Sequence, residues 1–190
     1  MKIGLYFGSF NPIHTGHLII ANFVLDHSDI QQVWFVVSPQ NPLKKTSTLL
    51  NEYDRLFLVQ TAIEDNYKFK TSDIEFKLPR PSYTIDTLVY LNEKYPHYQF
   101  VIIVGSDSLK NIHKWKNSEL LLKQFSFIVY QRPGFEINEV SQEKIHLLKA
   151  PLFDISSTYI RNAIQNGKSI KYLVPDKVLE EIERNGYYKK

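Results

Sequence analysis

Gly8-Ser9-Phe10-Asn11-Pro12-Ile13-His14-Thr15-Gly16-His17 is the stretch on which the fold of this chain turns. It follows a short apolar run, residues 3–7, and leads straight into another, Leu18-Ile19-Ile20-Ala21. The order is strand, tight turn, two imidazoles three positions apart, then helix. Asn11-Pro12 is a turn signal, and Gly8 supplies a backbone position free of Cβ. A helix start carries unpaired N–H groups and the positive end of the helix dipole. Both histidines sit there, so the segment reads as a site for a phosphate chain.

Outward from this segment, the same alternation repeats. Val33-Trp34-Phe35-Val36-Val37 and Phe100-Val101-Ile102-Ile103-Val104 lack polar alternation, as strands buried on both faces of a parallel sheet do. Strands are expected over residues 2–7, 32–37, 100–104, 125–130 and 145–150, with a shorter one within 67–74. Helices are expected over 16–26, 51–63, 85–94, 158–165 and 176–184. Ser156 and Ser157 offer N-caps for the fourth helix, with Gly167 at its C-terminal end. Pro175 suits the first turn of the last helix, with Gly186 just beyond it. The alternation predicts an α/β fold: a Rossmann-like, doubly wound, mainly parallel sheet sandwiched by helices, with C-terminal helices from about residue 156. Residues 79–82 and 131–134 read as loops, and residues 1–190 as one domain.

Composition narrows the function classes. The chain has 190 residues, 43% hydrophobic and 14% aromatic, enough for a substantial core and too many for disorder. A formal charge of +3, with no Lys/Arg cluster recurring along one helix or tail, suits a small anionic ligand and not a nucleic acid. The buried aliphatic strands also lack the exposed aromatic platform of single-stranded RNA modules. Without cysteine there is no disulfide, no thiolate catalysis and no sulfur-ligated zinc. No basic leader with a cleavage site precedes the first strand, and no apolar run reaches the ~18 residues of a membrane span. The expected location is the cytoplasm, without membrane contact; a homo-oligomer is left open.

Four clusters could carry chemistry. His14 and His17, at i and i+3, share one face of a helix start and can reach one ligand. Metal ligation would need a third and fourth ligand at recognisable spacing, and none is seen, so no metal site is expected. The dinucleotide fingerprint is missing, since no third glycine follows Gly4 and Gly8 in register, and so is the P-loop pattern. Histidines stand in place of a glycine cradle. Ile155-Ser156-Ser157-Thr158-Tyr159-Ile160-Arg161 reads equally as a second anion site or as an ordinary capped helix with a solvated arginine. Lys44 and Lys45 follow the second strand; loop lysines are usually solvated, and only the position at a strand's carboxyl end sets this pair apart. In Val104-Gly105-Ser106-Asp107, Asp107 could accept from ribose hydroxyls, or Asp107 or Ser106 could cap a helix. Trp115, among His113, Lys114 and Lys116, is either a packing anchor or a plate on which a planar ring stacks.

In this order the clusters resemble the nucleotidyltransferase superfamily with an H-x-G-H signature, and within it the bacterial nicotinate-nucleotide adenylyltransferases. The resemblance spans nearly the whole chain, and its most discriminating mark is Pro81-Ser82-Tyr83-Thr84-Ile85-Asp86-Thr87-Leu88. It implies transfer of the adenylyl group of ATP to nicotinate mononucleotide, with Mg2+ delivered with the ATP. His14, His17, Lys44 and Arg161 would then be catalytic. Gly8, Ser9, Phe10, Gly105, Asp107, Ser156 and Ser157 would join His14, His17 and Arg161 around ATP. Asn11, Lys44, Tyr83, Thr84 and Trp115 would contact the mononucleotide. One departure stands out: the family loop commonly reads Pro-Pro-His-Lys, whereas this chain has Asn41-Pro42-Leu43-Lys44. Any phosphate contact of that histidine is lost or supplied elsewhere. The alternatives are a sister enzyme acting on nicotinamide mononucleotide or phosphopantetheine, and a nucleotide sensor without turnover.

Overall fold

The continuous apolar runs at residues 33–37 and 100–104 become strands with an apolar layer on either side. The computed structural model describes residues 1–40, 48–132, 134–137, 143–151 and 154–189. The elements are β1 (Lys2–Gly8), α1 (Thr15–His27), β2 (Gln32–Val37), α2 (Glu52–Ile63), β3 (Phe69–Ser72), α3 (Thr84–Lys94) and β4 (Gln99–Gly105). They continue with α4 (Ser106–Lys110), α5 (Ser118–Gln124), β5 (Ser126–Tyr130), β6 (Ile145–Leu148), α6 (Ser157–Gln165) and α7 (Asp176–Asn185).

The six strands form one sheet in the order β3-β2-β1-β4-β5-β6. All five pairings are parallel. Chain order reverses between β1 and β4, so their carboxyl ends, Gly8 and Gly105, flank the crevice where doubly wound folds bind ligands. Successive residues of a strand point to opposite faces. Val33, Phe35 and Val37 therefore enter one apolar cluster, while Trp34 and Val36 enter the other. That two-sided burial is why the strand showed no polar alternation.

The C-terminal helices end as their glycines required. Gly167 takes φ 64°, and the Lys168 N–H donates to the Ala163 carbonyl at 2.8 Å while the Gly167 N–H reaches Ile164 at 3.0 Å. Gly186, at φ 66°, closes α7 in the same way, with the Tyr187 N–H on the Ile182 carbonyl at 3.0 Å. Pro175 corrects the sequence reading: it is the N-cap of α7, with an extended ψ of 147°, and not a first-turn residue. One strand is shorter than expected, β6 stopping at Leu148, while β3 covers Phe69–Ser72 at the sheet edge, inside the 67–74 window. The short helices α4 and α5, and the 3-10 turns Ile74–Lys77 and Ile112–Lys114, were not expected from the sequence. Pieces of three to seven residues are too short to display a period. Among the described residues no helix is long and apolar enough to cross a membrane.

Candidate active site

The turn after β1 is shaped by close contacts. A Cβ on Gly8 would lie 2.8 Å from Phe10 Cζ, so the missing side chain lets the Phe10 ring fold back against the strand end. Phe10 itself has φ 45° and is buried. The Asn11–Pro12 bond that follows is cis. His14 is the N-cap of α1, and its N–H donates to His17 Nδ1 at 3.2 Å. Because Nδ1 of His17 accepts, its Nε2 carries the proton of the neutral ring and can donate. The two imidazoles stack with centroids 3.7 Å apart and planes at 28°. A Cβ on Gly16 would lie 3.1 Å from His14 Nδ1, which explains the glycine between the histidines. Phe10 and Tyr6 press edge-on against His17, at 5.1 and 5.9 Å.

His14 is 5% exposed, and its Nδ1 has no hydrogen-bond partner. Burial, helped by the positive charge of Arg132, lowers its pKa to about 4, so the ring is neutral at pH 7. Arg132 follows β5. Its N–H donates to Ser106 Oγ at 2.9 Å, and its Nη1 donates to Asp107 Oδ2 at 3.1 Å. The other Asp107 oxygen, Oδ1, is buried without a partner. A Cβ on Gly105 would meet Asp107 Oδ1 at 2.5 Å and Arg132 Cδ at 2.8 Å, so the strand end must be bare for this pair to close over it. Gly105 is the N-cap of α4 and neither Ser106 nor Asp107 caps it, which removes the capping alternative for both.

The second anion cluster is tied to the first. Ser156 caps α6, accepting from the Tyr159 N–H at 3.2 Å. Ser157 Oγ donates to the Pro12 carbonyl at 2.9 Å, and Arg161 Nη1 donates to the Asn11 carbonyl at 2.8 Å. Arg161 is therefore held on the turn, and the solvated-arginine alternative falls. Ser9 contributes its carbonyl to a buried guanidinium, that of Arg55, at 2.6 Å. The Asn11 side chain is fully engaged with the main chain, donating to the Thr48 carbonyl at 2.9 Å and accepting from the Leu50 N–H at 3.1 Å.

Tyr83 is the N-cap of α3 and Thr84 its first residue. Tyr83 and Trp115 both pack, partly buried, against the second apolar cluster, and the Lys116 ammonium lies 4.9 Å from the centre of the Tyr83 ring. Lys116 also pairs with Asp86 at 2.8 Å. Trp115 is thus a packing anchor with one part accessible. Lys44, with Leu43, lies outside the described residues.

Sequence reading missed three residues here. Arg132 lies in the 131–134 segment that reads from sequence only as a loop. Arg55 is fully buried and donates to four carbonyls, of Leu50, Ser9, Ser38 and Pro39. Glu75 is buried and accepts from Ser82 Oγ at 2.8 Å and Thr87 Oγ1 at 3.1 Å. A signal existed for Arg55: it shares the apolar stripe of α2 with Leu58, Val59, Ala62 and Ile63, where a charge is out of place.

The cytidylyltransferase-like family model matches residues 5–163. The chain is 54% identical over 193 aligned positions to the "Probable nicotinate-nucleotide adenylyltransferase" of Flavobacterium johnsoniae, covering all of both chains. The chain belongs to the nicotinate-nucleotide adenylyltransferase family. The family relative from Bacteroides thetaiotaomicron is 44% identical, over 96% of this chain and 91% of its own. The Plasmodium falciparum nicotinic acid mononucleotide adenylyltransferase complexed with NaAD shares the fold, with a TM-score of 0.84 at 24% identity, covering 98% of this chain and 97% of that one. In this nicotinate-nucleotide adenylyltransferase family member no group of three or more His, Cys, Asp or Glu residues placed to hold a metal occurs among the described residues.

Proposed function

We propose that the protein transfers the adenylyl group of ATP to nicotinate mononucleotide, giving nicotinate adenine dinucleotide and pyrophosphate, with residues 1–190 acting as one nucleotidyltransferase domain. The observation that carries this reading is the stacked pair His14–His17 at the carboxyl end of β1, in a turn whose Pro12 and Asn11 carbonyls are held by Ser157 and Arg161. The relatives' names supply the substrate class.

The attacking group is the 5′-phosphate of the mononucleotide. Its second pKa is ~6, so it is already mostly dianionic at neutral pH and needs no general base. One of its oxygens forms a bond to the α-phosphorus of ATP, and the bond from that phosphorus to the bridging oxygen breaks. Pyrophosphate leaves with the electron pair. The protein's task is to hold two polyanions in line and to meet the charge that develops on the leaving group. Positioning can supply ~7–11 kcal/mol in well-oriented systems.

The His17 Nε2–H is a donor toward a phosphate oxygen, and neutral His14 lies against it. Arg161, carried on the first turns of α6, adds full positive charge to the same turn, and Lys44 would add a second cation. The buried, unpaired Oδ1 of Asp107 suits a ribose hydroxyl, which would give it the donor it lacks. Tyr83, Thr84 and Trp115 would line the pyridine end. Mg2+ would arrive with ATP, because the ion prefers phosphate oxygens and water to a protein cage. When bound, the ion neutralises charge on the phosphate oxygens.

The test is an acceptor panel read by pyrophosphate release, with nicotinate mononucleotide, nicotinamide mononucleotide and phosphopantetheine side by side. Nicotinate mononucleotide should be preferred; preference for the amide overturns the substrate assignment. His17→Ala should lower kcat by ~10²–10³, since one well-placed donor is worth ~3–4 kcal/mol, with little change in melting temperature. Near-parental turnover in the folded variant removes His17 from the reaction.

A further inference from the structure

A pyridine carboxylate and a pyridine carboxamide have nearly the same shape, so a site separates them by charge and by its donors. The start of α3 is a mixed environment for such a charge. Its free N–H groups and helix dipole favour an anion, but Asp86 stands in its first turn. Glu75 is buried and turned to Ser82 and Thr87, whereas Asp86 is partly exposed on the same turn. Left alone, Asp86 would cancel what the dipole offers.

It is not left alone. Trp115 leaves the 3-10 turn Ile112–Lys114 with extended backbone, ψ 144°, and Asn117, at φ 53°, turns the chain into α5. Successive side chains on extended backbone point opposite ways. Trp115 therefore packs against the second apolar cluster, and Lys116 reaches across to α3. Its ammonium donates to both Asp86 oxygens, at 2.8 and 3.1 Å, and lies 4.9 Å from the centre of the Tyr83 ring. Two other cations close in sequence are engaged elsewhere: Lys114 donates to Asn111 Oδ1 at 2.8 Å, and Arg80 pairs with Glu52 at 2.6 Å.

Both side chains of this pair are 44% exposed, so as a strut it contributes little to the fold. Its place in the site matters more. It joins the Tyr83 wall to the Trp115 wall, the two aromatic surfaces at the pyridine end. With Lys116 present the pair is neutral in sum, and the positive end of α3 is left to draw a carboxylate. Without Lys116 the carboxylate meets an unopposed Asp86. A carboxamide carries no charge and is affected far less by either arrangement.

We propose that Lys116 is a specificity-determining residue, which favours an acceptor bearing a carboxylate over one bearing a carboxamide by neutralising Asp86 at the start of α3. The proposal rests on the adenylyl-transfer reading of the site. It gives the two partners opposite effects on selectivity, which a purely structural ion pair does not.

The experiment measures kcat/KM for nicotinate and nicotinamide mononucleotide, by pyrophosphate release at saturating ATP, in the parent, Lys116→Met, Asp86→Asn and the double variant. Lys116→Met should lower the acid-to-amide ratio about fivefold, the upper end for a half-exposed pair, and Asp86→Asn should raise it by a similar factor. The double variant should return close to the parent's ratio. Both shifts should shrink between low salt and about 0.5 M salt. The KM for the acid carries the same opposite signs by itself, and the ATP KM and melting temperature should stay near the parent's. An unchanged ratio in Lys116→Met overturns the proposal. So do single variants that both lose activity alike toward the two acceptors, the pattern of a lost strut. A parent that releases no pyrophosphate, or prefers the amide, sinks the adenylyl-transfer reading, whereas an acid-preferring parent beside unmoved variants sinks this proposal alone.

Discussion

Burial keeps the His14 imidazole neutral far below the pH at which an exposed histidine gains its charge. The unfolded chain takes up that proton near 6.5, and the folded protein only near 4. Between those values the unfolded state binds more protons, so stability falls as pH drops through the window and is unaffected by this group above it. The full effect is about 3 kcal/mol. Urea melts at pH 7 and pH 4.5 should show a larger acid loss for the parent than for His14→Asn; equal losses would remove His14 as the cause. The residues of this site were unevenly legible. The spacing of His14 and His17 was visible because both come from one short segment. The charge state of His14 was not, because Arg132 and the burying residues come from other parts of the chain. Asp107 was found by its position at a strand end, but its pairing with Arg132 needed the sheet to bring β4 beside β5.

At the scale of elements, α3 is fixed by a carboxylate beneath its N-terminus. Glu75 accepts from Ser82 and Thr87, on either side of Tyr83 and Thr84. Burial raises its pKa, while the donations from Ser82, Ser38 and Thr87 pull it back. Glu75→Ala removes the acceptor of Ser82 and one of the two acceptors of Thr87, the other being the Tyr83 carbonyl, at a cost of about 1–3 kcal/mol. It should also raise the mononucleotide KM several-fold while sparing the ATP KM, because Tyr83 and Thr84 lose their anchor and the His14–His17 turn does not. Steady-state kinetics with each substrate varied separately decides it; equal rises would mean general damage. The segment from Ser82 to Leu88 was legible as a mark of substrate choice, yet Ser82 and Thr87 within it serve Glu75. Long helices were found by their period, whereas α4 and α5 were missed for want of length.

Across the whole molecule Arg55 joins the ends of β1 and β2 to the start of α2 through four carbonyl oxygens. Arg55→Met keeps the bulk and removes every donor. Breaking such a buried charged network costs about 3–5 kcal/mol. For a chain of this length that lowers the melting temperature by about 10 °C, readable by calorimetry, and an unchanged melting temperature would show the network to be idle. The sheet was legible as parallel because its strands are apolar on both faces. Its order was not, since nothing in an apolar run names its neighbour. The bonds of Ser157 and Arg161 to the turn join residues 145 and 150 positions apart, a separation over which local pattern carries no signal.

That long reach has a bearing on how the molecule is made. A chain emerging from the ribosome presents its histidine turn long before Arg161. Until residue 161 is free to dock, the turn lacks the hydroxyl and guanidinium that grip it, and a prematurely terminated product retains the strand-turn-helix opening without those bonds.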